Sequence, residues 1–423
     1  MSVATERVVL APSVPPRPWW RSRPGRLAGI VAAVLVCYLL LRRDYAWPLS
    51  LQWNSLGGYL DRFQIWLLDQ RGAEQPSLVF TIFDGARAFV DHLVSWLNDA
   101  LLWLTWAGTA ATGTFVVLRF GGLRAGLIVL GAFLTFAATG LWEESVQTLA
   151  LMLAAVALSL SVGMPLGVLA GRSERFASAI TPVLDAMQIV PAFAYLMPVV
   201  ILFSVGPAAA VICTMIYAVP PAVRITALGI RGVQPDTVEA SKAYGATSLQ
   251  TLFKVQLPLA RRQLLLSVNQ TIMFGLSLVV IAGLIGGRGL GDVVTSGLYS
   301  NAALALLAGA AIVIMAIALD RATAAIADRT DPTRRHLTNE GRKRAKLVTL
   351  ATLVAIVAIV LLARALGAAE SYPDEFETAT TVFTATIQDT LLDGIQSVLD
   401  YIQDPTSLIF GITEPIGNFL VKY

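Results

Sequence analysis

Nine stretches of this 423-residue chain are apolar over roughly the length needed to cross a bilayer, and that constrains the fold more than any other feature. A span needs about 20 predominantly apolar residues. Inside hydrocarbon the backbone must satisfy its own hydrogen bonds, which leaves helices or closed barrels. The runs are continuous rather than alternating, so helices are expected. They fall at about 27–42, 97–118, 123–141, 146–170, 187–204, 207–222, 264–286, 301–320 and 347–366. Composition agrees: 56% of residues are hydrophobic and 14% charged, where soluble domains carry about 25% charged residues. The expected fold class is all-α, a polytopic transmembrane helix bundle.

Charge placement orients the bundle. With a cytoplasmic N-terminus, the segments 1–26, 119–124, 171–186, 223–262 and 320–346 are cytoplasmic and hold 23 of the 31 Lys and Arg residues. The outer turns at 142–145 and 205–206 hold none. This is the positive-inside bias. The net charge of +3 therefore reflects membrane orientation, and no nucleic-acid partner is expected. The basic run Arg334, Arg335, Arg342, Lys343, Arg344 and Lys346 sits beside a span, where anionic lipid headgroups are its natural partner.

Residues 1–26, rich in Pro and Arg, read as a disordered cytoplasmic tail. With the run at 27–42 they resemble a signal peptide, but Arg42-Arg43-Asp44 follows in place of a small-residue cleavage site, so a retained anchor is expected. Cys37 and Cys213 both fall inside expected spans, where packing is their default role. His92 and His336 fall on opposite sides of the membrane and cannot form a metal pair. Gly286-Gly287-Arg288-Gly289-Leu290-Gly291 has glycines like a dinucleotide fingerprint, but it follows a span rather than a strand and reads as an outer turn. No Gly-x-x-x-x-Gly-Lys-Ser/Thr run and no nucleophile–base arrangement occurs, so catalysis is not expected of this chain.

The loop between the sixth and seventh spans is polar and carries turn chemistry for two short helices. Asp236 can cap the first, with Glu239 three residues on closing a capping box. Gly245 suits the left-handed residue that ends it. Thr247 can cap the second, with Gln250 three residues on, and Leu257-Pro258 is expected to stop that helix. The run Glu239-Ala240-Ser241, Gly245, Val255 and Leu257-Pro258 resembles the coupling loop of ABC-importer permeases. That pattern is Glu-Ala-Ala, three residues, Gly, nine residues, Ile, one residue, Leu-Pro. Ser241 stands for its second alanine and Val255 for its isoleucine.

The segments Trp142 to Leu149, Pro165-Leu166-Gly167, Leu184 to Gln188, Pro191 to Leu196, Val219-Pro220-Pro221, Arg224, Asn269-Gln270-Thr271 and Val279 to Gly286 resemble the membrane subunits of glycine betaine/proline/choline-type ABC importers. The resemblance covers about 142–325 and leaves 43–96 and 326–423 unexplained. It implies a type I importer permease core with extra N- and C-terminal spans and outer amphipathic helices. It also implies a bacterial inner-membrane location and no cofactor in this chain, with ATP-Mg bound by cytoplasmic ATPase subunits. An extracytoplasmic solute-binding protein and a second permease core complete the assembly. The substrate is then a compatible solute such as glycine betaine, choline or proline. A secondary transporter and an ATPase-recruiting membrane scaffold are the alternatives; the first would need titratable residues in mid-span.

Polar residues in spans are pathway candidates because their burial in lipid is costly. Asn269 and Gln270 qualify, or they join helices through hydrogen bonds. Asp185, Met187 and Gln188 border the span opened by Pro191, as a gate or as the end of a cytoplasmic helix. Phe193 and Tyr195 are among the rings available to pass a quaternary ammonium. The division expected is 1–26 tail, 27–141 N-terminal spans with an outer amphipathic segment, 142–325 permease core with coupling loop 223–262, 326–346 basic linker, and 347–423 a further span and outer segment. Residues 77–91 and 407–421 align without gaps, with five of fifteen positions identical. A parallel repeat explains this, as does convergence of two outer amphipathic helices. As a repeat, 347–423 is the start of a second core in a longer chain; otherwise a dimer supplies that core.

Overall fold

The computed structural model describes residues 54–72, 77–330 and 339–365, with isolated positions at 31, 386, 389–390, 393–394, 397 and 401. The expected tail 1–26, most of the span at 27–42, residues 331–338 of the linker 326–346 and nearly all of 366–423 lie outside the described residues. Every regular element among the described residues is helical. The chain divides into the units Met1–Gly72 and Ala73–Tyr423.

The first unit contributes α1, Asn54–Gly72. Within it Phe63 stacks on Trp66 and the Arg62 guanidinium lies over the Tyr59 ring.

The second unit holds α2 Leu78–Trp103, α3 Thr105–Gly121, α4 Leu123–Ala138, α5 Trp142–Arg172, α6 Glu174–Ile189, α7 Ala192–Phe203 and α8 Pro207–Arg231. The short α9 Pro235–Ala243 and α10 Ser248–Thr251 follow, then α11 Leu257–Ser277, α12 Val279–Gly283, α13 Leu290–Ser300, α14 Ala302–Thr330 and α15 Asn339–Ala365. Among the described residues, three helices can cross a membrane unaided by length and composition: Trp142–Arg172, Pro207–Arg231 and Leu304–Arg329.

The centre of the bundle is the crossing of α5 and α8. Gly163, Gly167 and Gly171 repeat every four residues on α5 and face Ala222, Thr226 and Ile230, at the same spacing on α8. A Cβ at these glycines would lie 2.6, 2.6 and 2.7 Å from the facing side chains. Without a hydrophobic driving force between helices in lipid, such close backbone approach is what holds them together. Ser267 of α11 joins the seam, donating to the Ala222 carbonyl at 3.1 Å and accepting from Thr226 at 3.3 Å. A second core of Val117, Val129, Phe133, Phe136, Trp142 and Met315 binds α3, α4, α5 and α14.

Several expected spans are broken or shifted. The one at 97–118 bends by 100° between α2 and α3. Thr105 holds φ +68 there, a costly angle for a β-branched residue. Hydrogen bonds compensate: Thr105 Oγ1 accepts from the Gly108 amide at 3.3 Å, and Thr109 Oγ1 donates to the Leu101 carbonyl at 2.6 Å. The span at 187–204 is instead the pair α6 and α7, bent by 99° at Val190-Pro191. The span at 264–286 breaks at Leu278. The span at 207–222 runs on through Pro220-Pro221 to Arg231, because both prolines are buried within α8 and packing outweighs their helix-breaking tendency.

The expected outer segment 49–96 is divided between two helices, α1 and α2. Residues 78–96 belong to α2, which packs on α5, α7 and α8. Phe83 meets Phe203 edge-on at 5.2 Å, and Asp91 Oδ1 accepts from the Ala208 amide at 2.9 Å, capping the first turn of α8. Toward the other end of the chain α15 packs on α3, where Arg119 donates to Thr349 at 2.8 Å, and Arg364 lies over the Trp103 ring at the end of α2.

Candidate functional site

The loop after α8 folds as two helical pieces, of which only the second has the expected cap. Gln234 takes the N-cap position of α9 and Asp236 lies inside the first turn, because Pro235 fits that turn and draws the start two residues earlier. Asp236 still favours the helix through its charge near the N-terminus. Gly245 has φ +81, and the amides of Gly245 and Ala246 bond back to the carbonyls of Lys242 and Ser241. Thr247 and Gln250 form the reciprocal capping box of α10. Leu257-Pro258 does not end the second piece. The chain passes through a π-helical turn, Leu252–Gln256, straight into α11, where Pro258 sits in the first turn and needs no amide partner.

This loop is fastened to the bundle. Ile230, Val233, Leu252 and Ala260 form a buried cluster, with Val168, Val238, Leu257 and Leu264 against it. Ser241 Oγ lies 3.1 Å from Thr251 Oγ1 and ties α9 to the second piece. Arg231 donates to the Ala170 carbonyl at 2.8 Å and pairs with Glu174 at 3.1 Å. Glu239, Ala240, Gly245 and Pro258 are exposed, whereas Ser241, Val255 and Leu257 are half-buried. The loop also presents Tyr244, Leu249 and Phe253. Sequence reasoning passed these three over, since single apolar residues in a polar loop carry no periodic signal.

The pathway candidates separate into two groups. Asn269 is buried in α11; its amide nitrogen donates to Asp320 at 3.1 Å and its carbonyl oxygen accepts from Thr323, both on α14. That is a helix–helix junction, with Gln270 half-buried beside it. Asp185 on α6 pairs with Arg224 on α8. The Tyr195 hydroxyl donates to the Met187 carbonyl at 3.1 Å and lies 3.3 Å from that of Ala186, bracing the bend. Gln188 is half-buried, while Phe193 and Met197 are exposed on α7, as is Ile189 at the end of α6. Tyr217 and Phe274 bring α8 and α11 together with ring centroids 5.8 Å apart. A cavity of about 410 Å³ lies elsewhere, walled by apolar side chains such as Val117, Phe133, Trp142 and Met315, and offers little to a charged solute. Cys213 is buried in α8, and no cluster able to hold a metal occurs among the described residues.

Residues 163–336 match the family of binding-protein-dependent transport system inner membrane components. The glycine betaine/proline betaine transport system permease ProW of Escherichia coli is 42% identical over 58% of this chain and 70% of its own length. The glycine betaine transport system permease OpuAB of Bacillus subtilis is 40% identical over 63% of this chain and 93% of its own. This chain belongs to the glycine betaine-type permeases of ABC importers. It is a multi-pass membrane protein and the permease subunit of an ATP-driven importer. The glycine betaine/carnitine permease GbuB of Listeria monocytogenes is 41% identical over 58% of this permease and 90% of its own length. A chain of the inward-facing methionine transporter MetNI superposes with TM-score 0.41 at 22% identity, covering 45% of this permease and 95% of that chain.

Proposed function

We propose that this permease imports a small compatible solute, with glycine betaine first and choline or proline as other candidates. The observation that carries this reading is the identity of 40–42% with permeases whose names specify glycine betaine. A solute-binding protein delivers the solute from outside. Two ATPase subunits hold ATP-Mg and perform the hydrolysis, so this chain is not itself an enzyme. They grip the loop 232–257 through Glu239, Ala240 and the exposed Tyr244, Leu249 and Phe253. The apolar cluster under the loop carries their motion into α8 and α11. Gly245 sets the angle between the two pieces, and Ser241, Val255, Leu257 and Pro258 hold them to the bundle. A second permease core, from a second copy or a longer chain, completes the pathway. Access then alternates between the two sides of a bacterial inner membrane, with the loop and the N-terminus cytoplasmic.

The test is uptake of labelled glycine betaine into proteoliposomes holding the permease, its ATPase and its binding protein. ATP-dependent uptake, lost when ATP is replaced by a non-hydrolysable analogue, is expected. ATP-independent uptake driven by an ion gradient would overturn the reading. Orientation is tested separately, on a background lacking Cys37 and Cys213. Single cysteines at 70 and 395 should react with an impermeant reagent in intact cells, while one at 338 should react only after lysis.

A further inference from the structure

Arg224 sits seven residues before the end of α8 at Arg231, about 10 Å of helix. A guanidinium that far inside a spanning helix does not face lipid at acceptable cost, and such a residue is a functional-site candidate. It meets the Asp185 carboxylate across the gap between α6 and α8. The pair is not sealed away, since the two side chains keep 43% and 49% of their surface exposed. Tyr217, Arg224, Leu228 and Arg231, spaced seven, four and three apart, lie along one stripe of α8. Arg224 and Arg231 also line a cavity of about 200 Å³ with Thr181, Leu184 and Ala227.

We propose that the Asp185–Arg224 pair is a gate that doubles as a transient site for a zwitterionic solute, whose carboxylate takes Arg224 while its cationic group takes Asp185. The proposal rests on the importer reading above and adds the chemical class that this gate passes. Separating the pair leaves two opposite charges without each other, at a cost that rises as the assembled pathway closes water off from them. A zwitterion compensates both at once, so the gate opens only when such a solute fills it. A simple cation such as choline reaches Asp185 alone and leaves Arg224 stranded. The bend at Val190-Pro191, braced by Tyr195, gives α6 a place to swing away from α8.

Two measurements test this. In the uptake assay, Asp185→Arg and Arg224→Asp should each lower glycine betaine uptake about tenfold with ATPase co-purification intact, and the double swap should restore it to within about threefold. Double-swap uptake as low as the singles would overturn the gate. Independently of transport, arginine modification by phenylglyoxal is followed by mass spectrometry on the purified complex. Millimolar glycine betaine should slow modification of Arg224 about fivefold relative to equal choline. Equal rates in the two solutes would overturn the zwitterion site. Protection without ATP-driven uptake would keep the site and remove the importer reading.

Discussion

Two helix pairs meet α8, and they are built on opposite principles. The α5–α8 seam is made of small residues in backbone contact, with Ala154, Ala155, Ala218 and Ala222 almost fully buried. The α6–α7 pair meets α8 through Leu184 packed with Val219 and Val223, through the Asp185–Arg224 ion pair, and through Val199 and Phe203 of α7 clustered with Ala208 and Val211. It exposes Ile189 at 78% and Phe193 at 61%. Close-packed interiors transmit displacement, whereas an open, bent pair can absorb it. The seam therefore suits a rod that carries motion up from the loop, and the bend suits the part that yields.

The largest effect should come from breaking the seam. At Gly167 a Cβ would lie 2.6 Å from the Thr226 Cβ and 2.7 Å from the Val223 carbonyl oxygen. Gly167→Leu should cost about 3 kcal/mol or more by overpacking, read as a fall in thermal midpoint and in membrane-inserted yield. Phe193→Ala on the yielding pair should cost far less in the same assay, and equal losses would erase the contrast. Next, Gly245→Pro should leave insertion intact but lower ATP-driven uptake by about tenfold or more, since proline cannot adopt φ +81. Glu239→Lys tests the same contact, with co-purification of the ATPase as readout. Asn269→Leu should destabilise by about 2 kcal/mol, because it removes both side-chain bonds that join α11 to Asp320 and Thr323 of α14. Tyr195→Phe removes one hydroxyl from the bend and should cost about 1 kcal/mol, with uptake changed more than stability.

The sequence showed these two regions unequally. Helical class followed from the apolar runs, and the turn at Gly245 and the capping box at Thr247 and Gln250 followed from residue type alone. The α5–α8 seam was present as a four-residue glycine spacing, but its partners on α8 are decided by tertiary packing. The bends were harder to read. Pro191 marks one, yet Leu104-Thr105 contains neither proline nor glycine, and its strain is held by hydrogen bonds to residues on both sides of the break. Pro220-Pro221 misled in the other direction, since burial keeps the helix going to Arg231. That extension is why Arg224 lies inside a spanning helix rather than in the loop.

The most direct test of a rod and a yielding bend is thiol labelling across the nucleotide cycle. Single cysteines replace Ile189 at the bend and Leu169 on α5, in the assembled complex and without Cys37 and Cys213. On ATP binding the labelling rate at 189 is expected to change about fivefold or more while that at 169 stays within about twofold, and Gly245→Pro should abolish the change at 189. A change confined to 169, or an equal change at both positions, would contradict the account.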